Sequence, residues 1–279
     1  MKKLFAVIGN PIAHSMSPLM HNDLFDHYGI DAHYHAFAIE GPDLEDAVKG
    51  FRAIHLSGFN VTVPHKLAIM PLLDAIDPLA RSIGAVNTVV NNNGKLTGYN
   101  TDGSGFVNGL LTKIESIQDK NVLIIGAGGA ARAIYFTLAH EGVTHIDITN
   151  RTIERAEKLS DDCPYPVKTS VLRIDEAEKQ LEKYEIVIQT TSIGMSPQIE
   201  CEPLSLHNLS KRAFVSDIIY NPLETKFLQT AREKGANTQN GIEMFVNQGA
   251  LAFEKWTGIL PDTNRMKKKV LTQLGGAKC

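Results

Sequence analysis

Cysteine is scarce in this chain: there are three among 279 residues, Cys163, Cys201 and Cys279, odd in number and far apart. That fits reduced thiols in a cytoplasmic protein better than a disulfide framework or a zinc site. Charge of one sign is also missing. The net charge of −3 is spread along the sequence, and no basic run is long enough to neutralise a phosphate backbone, so no nucleic-acid partner is expected. The short basic cluster between Arg265 and Lys269 falls on a C-terminal helical pattern and reads as a solvated face. No segment approaches the ~20 apolar residues of a membrane span, and the opening apolar run, residues 4–8, is too short for a signal-peptide core. The expectation is a soluble, cytoplasmic protein with no membrane partner. Low-complexity segments and short repeats are absent, as are a G-x-S-x-G elbow and a Cys/His nucleophile arrangement. His33 and His35 share one strand face, but no third ligand lies nearby in sequence, so no metal is expected.

What is present is ample apolar material, 43% of the residues, in a chain long enough for about two domains. Strand and helix patterns alternate for almost the whole length, which predicts an α/β fold of parallel sheets covered by helices. Residues 4–8, 33–39 and 59–63 read as strands, separated by helical patterns starting near Ser17, Pro42 and Pro64. Strands at 86–90 and 95–98 form a hairpin around Asn91-Asn92-Asn93-Gly94, whose residues tolerate the positive φ of a tight turn. A helix near 105–114 leads to a second unit. There Asn121–Ile125 is a nearly continuous apolar run, as expected of a strand buried on both faces. A helix over 130–140 and strands at 145–150, 166–169, 185–190 and 214–220 follow. The last two helices, 242–257 and 262–274, break the alternation and are expected to pack back on the first unit.

Gly126-Ala127-Gly128-Gly129-Ala130-Ala131 follows the buried strand and opens a helix, reading as G-x-G-x-x-A. The first glycine permits the tight turn, the second lets a pyrophosphate approach the backbone, and Ala131 lets helix and strand pack closely. The phosphates would sit at the helix N-terminus, where unpaired N–H groups and the dipole favour negative charge. At the end of the next strand, where an NAD site would have a carboxylate for the ribose 2′-hydroxyl, stand Asn150-Arg151-Thr152, with Arg155 one turn later. Two guanidiniums can clamp a 2′-phosphate that a carboxylate would repel, so NADP is the expected cofactor.

Polar side chains recur at successive strand ends of the first unit: Ser15 and Ser17, Asn60 and Thr62 with Lys66, Asn87, and Asp102. Ligands bind at strand carboxyl ends in open α/β sheets, and this set would suit a polyhydroxylated acid. Singly, each has a structural reading: Ser17 as an N-cap, Asn87 as a turn residue, Lys66 as a solvated lysine. Together the ordered motifs are more specific. Gly9-Asn10-Pro11-Ile12-Ala13-His14-Ser15-Met16-Ser17-Pro18, Asn60-Val61-Thr62-Val63-Pro64-His65-Lys66, Gly84-Ala85-Val86-Asn87-Thr88 and Asn100-Thr101-Asp102-Gly103 resemble the shikimate dehydrogenase family in order and spacing. The resemblance continues through residues 126–133, Asn150-Arg151-Thr152, Tyr220-Asn221-Pro222 with Thr225, and from Asn240-Gly241 to Gln248, nearly the whole chain.

The resemblance implies two α/β lobes with the active site in the cleft between them: a substrate-binding, catalytic domain (1–103 with 241–279) and a Rossmann-like NADP-binding domain (104–240), the C-terminal helices returning to the first lobe. It implies NADP-dependent interconversion of 3-dehydroshikimate and shikimate in aromatic amino-acid biosynthesis. Lys66 and Asp102 match the catalytic pair, with Lys66 delivering the proton and Asp102 orienting ammonium and substrate hydroxyl. Ser15 and Ser17 match the carboxylate-binding pair, Thr62, Asn87 and Gln248 the contacts to ring hydroxyls, and Tyr220 a residue near the carboxylate. Gly126, Ala127, Gly128, Gly129 and Ala130 match the pyrophosphate turn, Asn150, Arg151, Thr152 and Arg155 the 2′-phosphate loop, and Gly241 and Met244 the nicotinamide flanks. One departure is Gln189-Thr190-Thr191, where the family commonly has Asn first, so no cofactor contact is assigned to Gln189. Two alternatives stay open: a quinate/shikimate dehydrogenase of broader specificity, and a non-catalytic sensor, against which the presence of both Lys66 and Asp102 speaks. No feature forces an oligomeric state.

Overall fold

Two runs of buried strand residues, one near each end of the chain's first half, seed two separate sheets. The computed structural model that shows them describes residues 2–276. Cys163 and Cys201 are free thiols; the expectation for Cys279 falls outside the described residues. The chain divides into two units, Met1–Thr101 with Val246–Cys279, and Asp102–Phe245.

The first unit runs β1 (Lys3–Gly9), α1 (Ser17–His27), β2 (Ala32–Ala38), α2 (Leu44–Ala53), β3 (Gly58–Val61), β4 (Ala75–Ile76), α3 (Pro78–Ile83), β5 (Thr88–Asn92) and β6 (Lys95–Tyr99). Its sheet has the order β2-β1-β3-β5-β6-β4. It is mixed rather than parallel throughout, because the β5–β6 hairpin enters antiparallel to β3. Alternation along β1 divides the core. Ala6 and Ile8 pack with Val48, Phe51 and Phe59 on the α2 side, while Phe5 meets Phe25 of α1 and Trp256 on the other. Trp256 Nε1 donates to Val89 O at 3.0 Å, and the bare Cα of Gly58 admits the indole against the strand.

The second unit runs α4 (Asp102–Leu111), β7 (Asn121–Ile125), α5 (Gly129–His140), β8 (His145–Thr149), α6 (Ile153–Asp161), β9 (Val171–Leu172), α7 (Ile174–Lys179), β10 (Ile186–Gln189), β11 (Phe214–Asp217), α8 (Lys226–Glu233) and β12 (Asn237–Gln239). All six strands are parallel, in the order β12-β11-β10-β7-β8-β9. Strand order reverses between β7 and β10, which makes that junction the topological switch point where such sheets bind ligands. Finally α9 (Ile242–Thr257) begins in this unit and passes at Val246 into the first, where α10 (Thr263–Gly276) follows. Arg265 and Lys269 do not merely face solvent: they bind Asp23 of α1 at 2.6 and 3.1 Å, stapling α10 to α1.

Several expected elements differ, each for a local reason. β3 stops at Val61, so Thr62 lies just beyond it, its N–H donating to Ile8 O at 2.9 Å. The pattern after Pro64 forms turns and a short 3-10 segment, Met70–Leu72, because Pro71 has no N–H to continue an α-helix. In the hairpin Asn91 and Asn92 stay in the strand, and Asn93 and Gly94 alone turn the chain, with φ of 53° and 91°. The strand expected at 166–169 reduces to one bridge at Lys168, with β9 starting later, since Pro164 and Pro166 cannot donate to a ladder. The helix expected at 105–114 starts earlier, at Asp102, an acid in its first turn. β11 ends at Asp217, whose carboxylate turns the chain aside by taking the Ile219 N–H.

Candidate active site

In the first unit, polar side chains cluster where β1 and β3 end and β5 begins. The end of β1 lies so close to the segment after β3 that a Cβ on Gly9 would strike the Thr62 methyl, and Asn10 N donates to Val63 O at 3.0 Å. Ser15 is half-buried, with its Oγ accepting the Ser17 N–H at 3.3 Å. Ser17 is buried at the first position of α1 and makes no side-chain cap, so the capping role is not what holds it there. Lys66 is half-buried in the turn after β3. Its carbonyl accepts the Val86 N–H at 2.8 Å, and its neighbour, buried His65, donates from Nε2 to Ile39 O at 2.7 Å.

Asn87, which precedes β5, is the hub of a buried network. Its Oδ1 accepts the Thr101 N–H at 2.8 Å and the Thr88 hydroxyl at 2.9 Å, while Nδ2 donates to Thr101 Oγ1 at 3.0 Å. Asn60 Nδ2 donates to Asn87 O and Thr88 Oγ1 at 3.1 and 3.0 Å, and Tyr34 donates its hydroxyl to Asn60 Oδ1 at 2.7 Å. Burial pushes the Tyr34 hydroxyl well above its ordinary value, with the nearby Ser17 hydroxyl pulling the other way. A satisfied network of this kind holds one geometry. It fixes Thr101, and the next residue in the chain is Asp102. Gln248 sits half-buried on α9 next to Gly249, where a Cβ would strike Met20 of α1.

In the second unit the glycine turn sits at the switch point. Gly126 has φ +115°, and a Cβ there would stand 2.5 Å from Thr190 Oγ1. Only glycine fits on both counts. Cβ atoms on Gly128 or Gly129 would meet nothing within 4 Å, so the start of α5 is open to a ligand, while Ala131 is wholly buried against the sheet. Ala127 and Ala130 are half-buried. Asn150 Nδ2 donates to Thr152 O at 2.7 Å, shaping the loop before α6. Arg151 and Arg155 are exposed on either side of Thr152, and among the described residues neither guanidinium has a hydrogen-bond or ion-pair partner. An open helix start beside two unengaged cations fits a phosphorylated dinucleotide. The Tyr220 ring lies tilted against Phe245, centroids 5.3 Å apart, and burial raises its hydroxyl. Gly241, buried, donates its N–H to Ile219 O at 2.9 Å, and Met244 is half-buried in the first turn of α9.

The residues named from sequence thus fall into two groups: Ser15, Ser17, Thr62, Lys66, Asn87 and Gln248 in the first unit, and the glycine turn, Asp102, residues 150–155, Tyr220, Gly241 and Met244 in the second. Of the residues that lock Asn87, Asn60 was among the polar strand-end residues noted in the sequence, without a role of its own, while Tyr34 and Thr101 were not singled out. Gln189 also has a structural role: its buried amide accepts the Thr191 N–H at 2.7 Å and donates to Ile193 O at 2.9 Å, shaping the loop that packs on Gly126. His33 and His35 have ring centroids 6.3 Å apart, and among the described residues no group of three or more side chains could hold a metal. Among the described residues, no helix is long and apolar enough to cross a membrane.

Residues 7–89 match the family described as shikimate dehydrogenase substrate binding domain, 110–221 shikimate / quinate 5-dehydrogenase, and 241–271 shikimate 5'-dehydrogenase C-terminal domain. The chain is similar to a shikimate dehydrogenase (NADP(+)) of Bacillus cereus, 57% identical over 277 residues, 99% of this chain and 100% of the relative. It is also similar to a solved shikimate dehydrogenase in complex with NADP+, 42% identical with a TM-score of 0.90 over 98% of this chain and 96% of that one. Shikimate 5-dehydrogenase from Listeria monocytogenes, solved with shikimate and NAD, is 38% identical with a TM-score of 0.93, covering 96% of each chain.

Proposed function

The chain belongs to the shikimate dehydrogenase family, and from that premise we propose how its own residues divide the reaction. The activity is the NADP-dependent, reversible reduction of 3-dehydroshikimate to shikimate. Substrate binding and catalysis are assigned in the main to residues 1–103 with 241–279, and cofactor binding in the main to 104–240, with Tyr220 serving the substrate and Gly241 and Met244 the cofactor across that division.

The cofactor would be held by the backbone of the Gly126–Ala130 turn at its pyrophosphate and by Arg151 and Arg155, with Asn150 and Thr152, at its 2′-phosphate, and Gly241 and Met244 would flank its nicotinamide. When bound, it supplies the hydride. The chain supplies the proton and the geometry. As the carbonyl oxygen gains negative charge, Lys66 Nζ gives it a proton, and in the reverse direction takes one from the hydroxyl. Asp102 orients the reacting hydroxyl, and the Asn87–Thr101 lock gives it a fixed starting point in the chain. Ser15 and Ser17 donate hydroxyls to the substrate carboxylate, with Tyr220 nearby. Thr62, Asn87 and Gln248 hydrogen-bond the ring hydroxyls.

The observation that best supports these roles is the pairing of an open glycine turn at the switch point with two unengaged arginines at the next strand's end. Nicotinamide absorbance, followed with shikimate and quinate and with NADP and NAD in turn, tests them. Strong rates only with shikimate and NADP are expected. Comparable rates with NAD would remove the role given to the arginines, and comparable rates with quinate would move the enzyme to the broader-specificity group. A cytoplasmic location is part of the same proposal, supported by the free thiols of Cys163 and Cys201 and tested by cell fractionation.

A further inference from the structure

β11 ends in a carboxylate with no apolar packing role. Asp217 is wholly buried. Its oxygens reach opposite ends of one turn: Oδ1 accepts the Ile219 N–H at 2.9 Å, and Oδ2 accepts the Thr225 hydroxyl at 2.7 Å. The intervening residues are tied again from outside. Leu223 O accepts Asn240 Nδ2 at 2.8 Å, and Ile219 O accepts the Gly241 N–H at 2.9 Å. Gly241 packs so tightly that a Cβ would collide with the Ile218 carbonyl. Tyr220 and Gly241 therefore both hang from a turn that Asp217 closes. Burial pushes the Asp217 carboxyl up to about 6, against its two hydrogen bonds. A side chain kept in place against desolvation, with both oxygens spent on one turn, acts on the conformation of that turn.

We infer that Asp217 is a positioning residue for the reaction: by closing the 218–225 turn it sets where the Tyr220 hydroxyl and the Gly241 backbone stand when substrate and nicotinamide bind. This rests on the roles proposed above for Tyr220 and Gly241.

The test compares kcat and KM for shikimate and NADP in the whole enzyme and in Asp217→Ala, Thr225→Val, Thr225→Ser and Tyr220→Phe, with melting temperatures alongside. Asp217→Ala is expected to lower kcat/KM for shikimate by roughly 10- to 100-fold, the scale of a misplacement of about 1 Å. Thr225→Val should follow it, and Thr225→Ser, which keeps the hydroxyl, should behave as wild type. In kcat/KM for shikimate, Asp217→Ala combined with Tyr220→Phe should lose little beyond the worse single change, because that loss runs through the Tyr220 side chain, whereas the effect through Gly241 is read in KM for NADP. If Asp217→Ala does not fold, Thr225→Val carries the comparison, since it leaves the carboxylate and its Ile219 bond in place; it also removes the cap that Thr225 Oγ1 gives α8 by accepting the Leu228 N–H at 3.3 Å, a loss the melting temperature reads separately. Folded variants at Asp217 and Thr225 with wild-type constants, beside an impaired Tyr220→Phe, would overturn the inference while leaving the role of Tyr220 standing. Wild-type constants in Tyr220→Phe as well would overturn both.

Discussion

Replacing His21 with phenylalanine should remove an acid sensitivity built into the first unit. His21 is wholly buried on α1, stacked on Tyr34 at 4.6 Å and set against Phe253 and Trp256 at 6.3 and 5.3 Å. Among the described residues neither ring nitrogen has a hydrogen-bond partner. Burial pulls its pKa down from 6.5 to about 3. A base whose folded pKa is depressed binds fewer protons folded than unfolded, so stability is intact above 6.5 and is lost as pH falls from there towards 3. At about pH 5 the unfolded imidazole is protonated by a margin of roughly 1.5 units and the folded one is not; at ~1.36 kcal/mol per unit, that costs about 2 kcal/mol relative to about pH 7.5.

Asp217 works in the opposite direction. Its folded pKa is raised to about 6, so below that value the folded state binds more protons and gains stability as pH falls. Any measurement on wild type alone mixes the two. The difference between wild type and His21→Phe cancels Asp217. Urea unfolding at about pH 7.5 and about pH 5, read by the fluorescence of the chain's single tryptophan, Trp256, which touches His21, gives that difference. Wild type should lose about 2 kcal/mol more than the variant between the two pH values. Equal losses would refute the reasoning, whatever the variant's stability at neutral pH.

Three further outcomes follow from the site. Lys66→Ala should lower turnover by about 10²- to 10⁴-fold, the usual worth of a general acid, with NADP affinity unchanged by titration; wild-type turnover would remove Lys66 from the proton transfer. Arg151→Ala should raise KM for NADP with little change in kcat, and a loss confined to kcat would contradict a binding role. Gly126→Ala forces a side chain into φ +115° and against Thr190 Oγ1; it should cost about 1–3 kcal/mol and weaken NADP binding, and an unchanged melting curve would mean that the turn is not required.

Elements with strong internal patterns were legible before any coordinates. The apolar run Asn121–Ile125 forms a strand with those limits, and Ile242–Thr257 a helix with those limits, because burial on both faces and helical periodicity are local signals. What the sequence hid was short. β4, β9 and β12 have two or three residues each, too few to show a period, and exist because a neighbouring strand supplies the ladder. α3 was readable in principle: Asp77 caps it by accepting the Leu79 and Ala80 N–H groups, Pro78 opens it, and Gly84 closes it at φ 75°.

The site divides along the same line. Residues proposed to meet the ligand stand at strand ends and helix starts, where polar side chains break an apolar pattern, so Ser15, Lys66, Asn87, Asp102 and the arginines could be picked out. The residues that hold them do not interrupt the pattern in a way that one sequence reveals. Tyr34 counts as an ordinary β-former, and its hydroxyl bond to Asn60 joins positions 26 apart. Gln189 looked like a departure from its family, yet its longer amide closes the loop that packs on Gly126. Asp217 did leave a trace, a carboxylate at the end of the otherwise uncharged strand Phe214–Asp217. An unpaired charge there would be costly, so a partner had to exist. Its partner, Thr225, lies at the end of the very turn that carries Tyr220, and only the folded chain shows that both of its oxygens serve that turn.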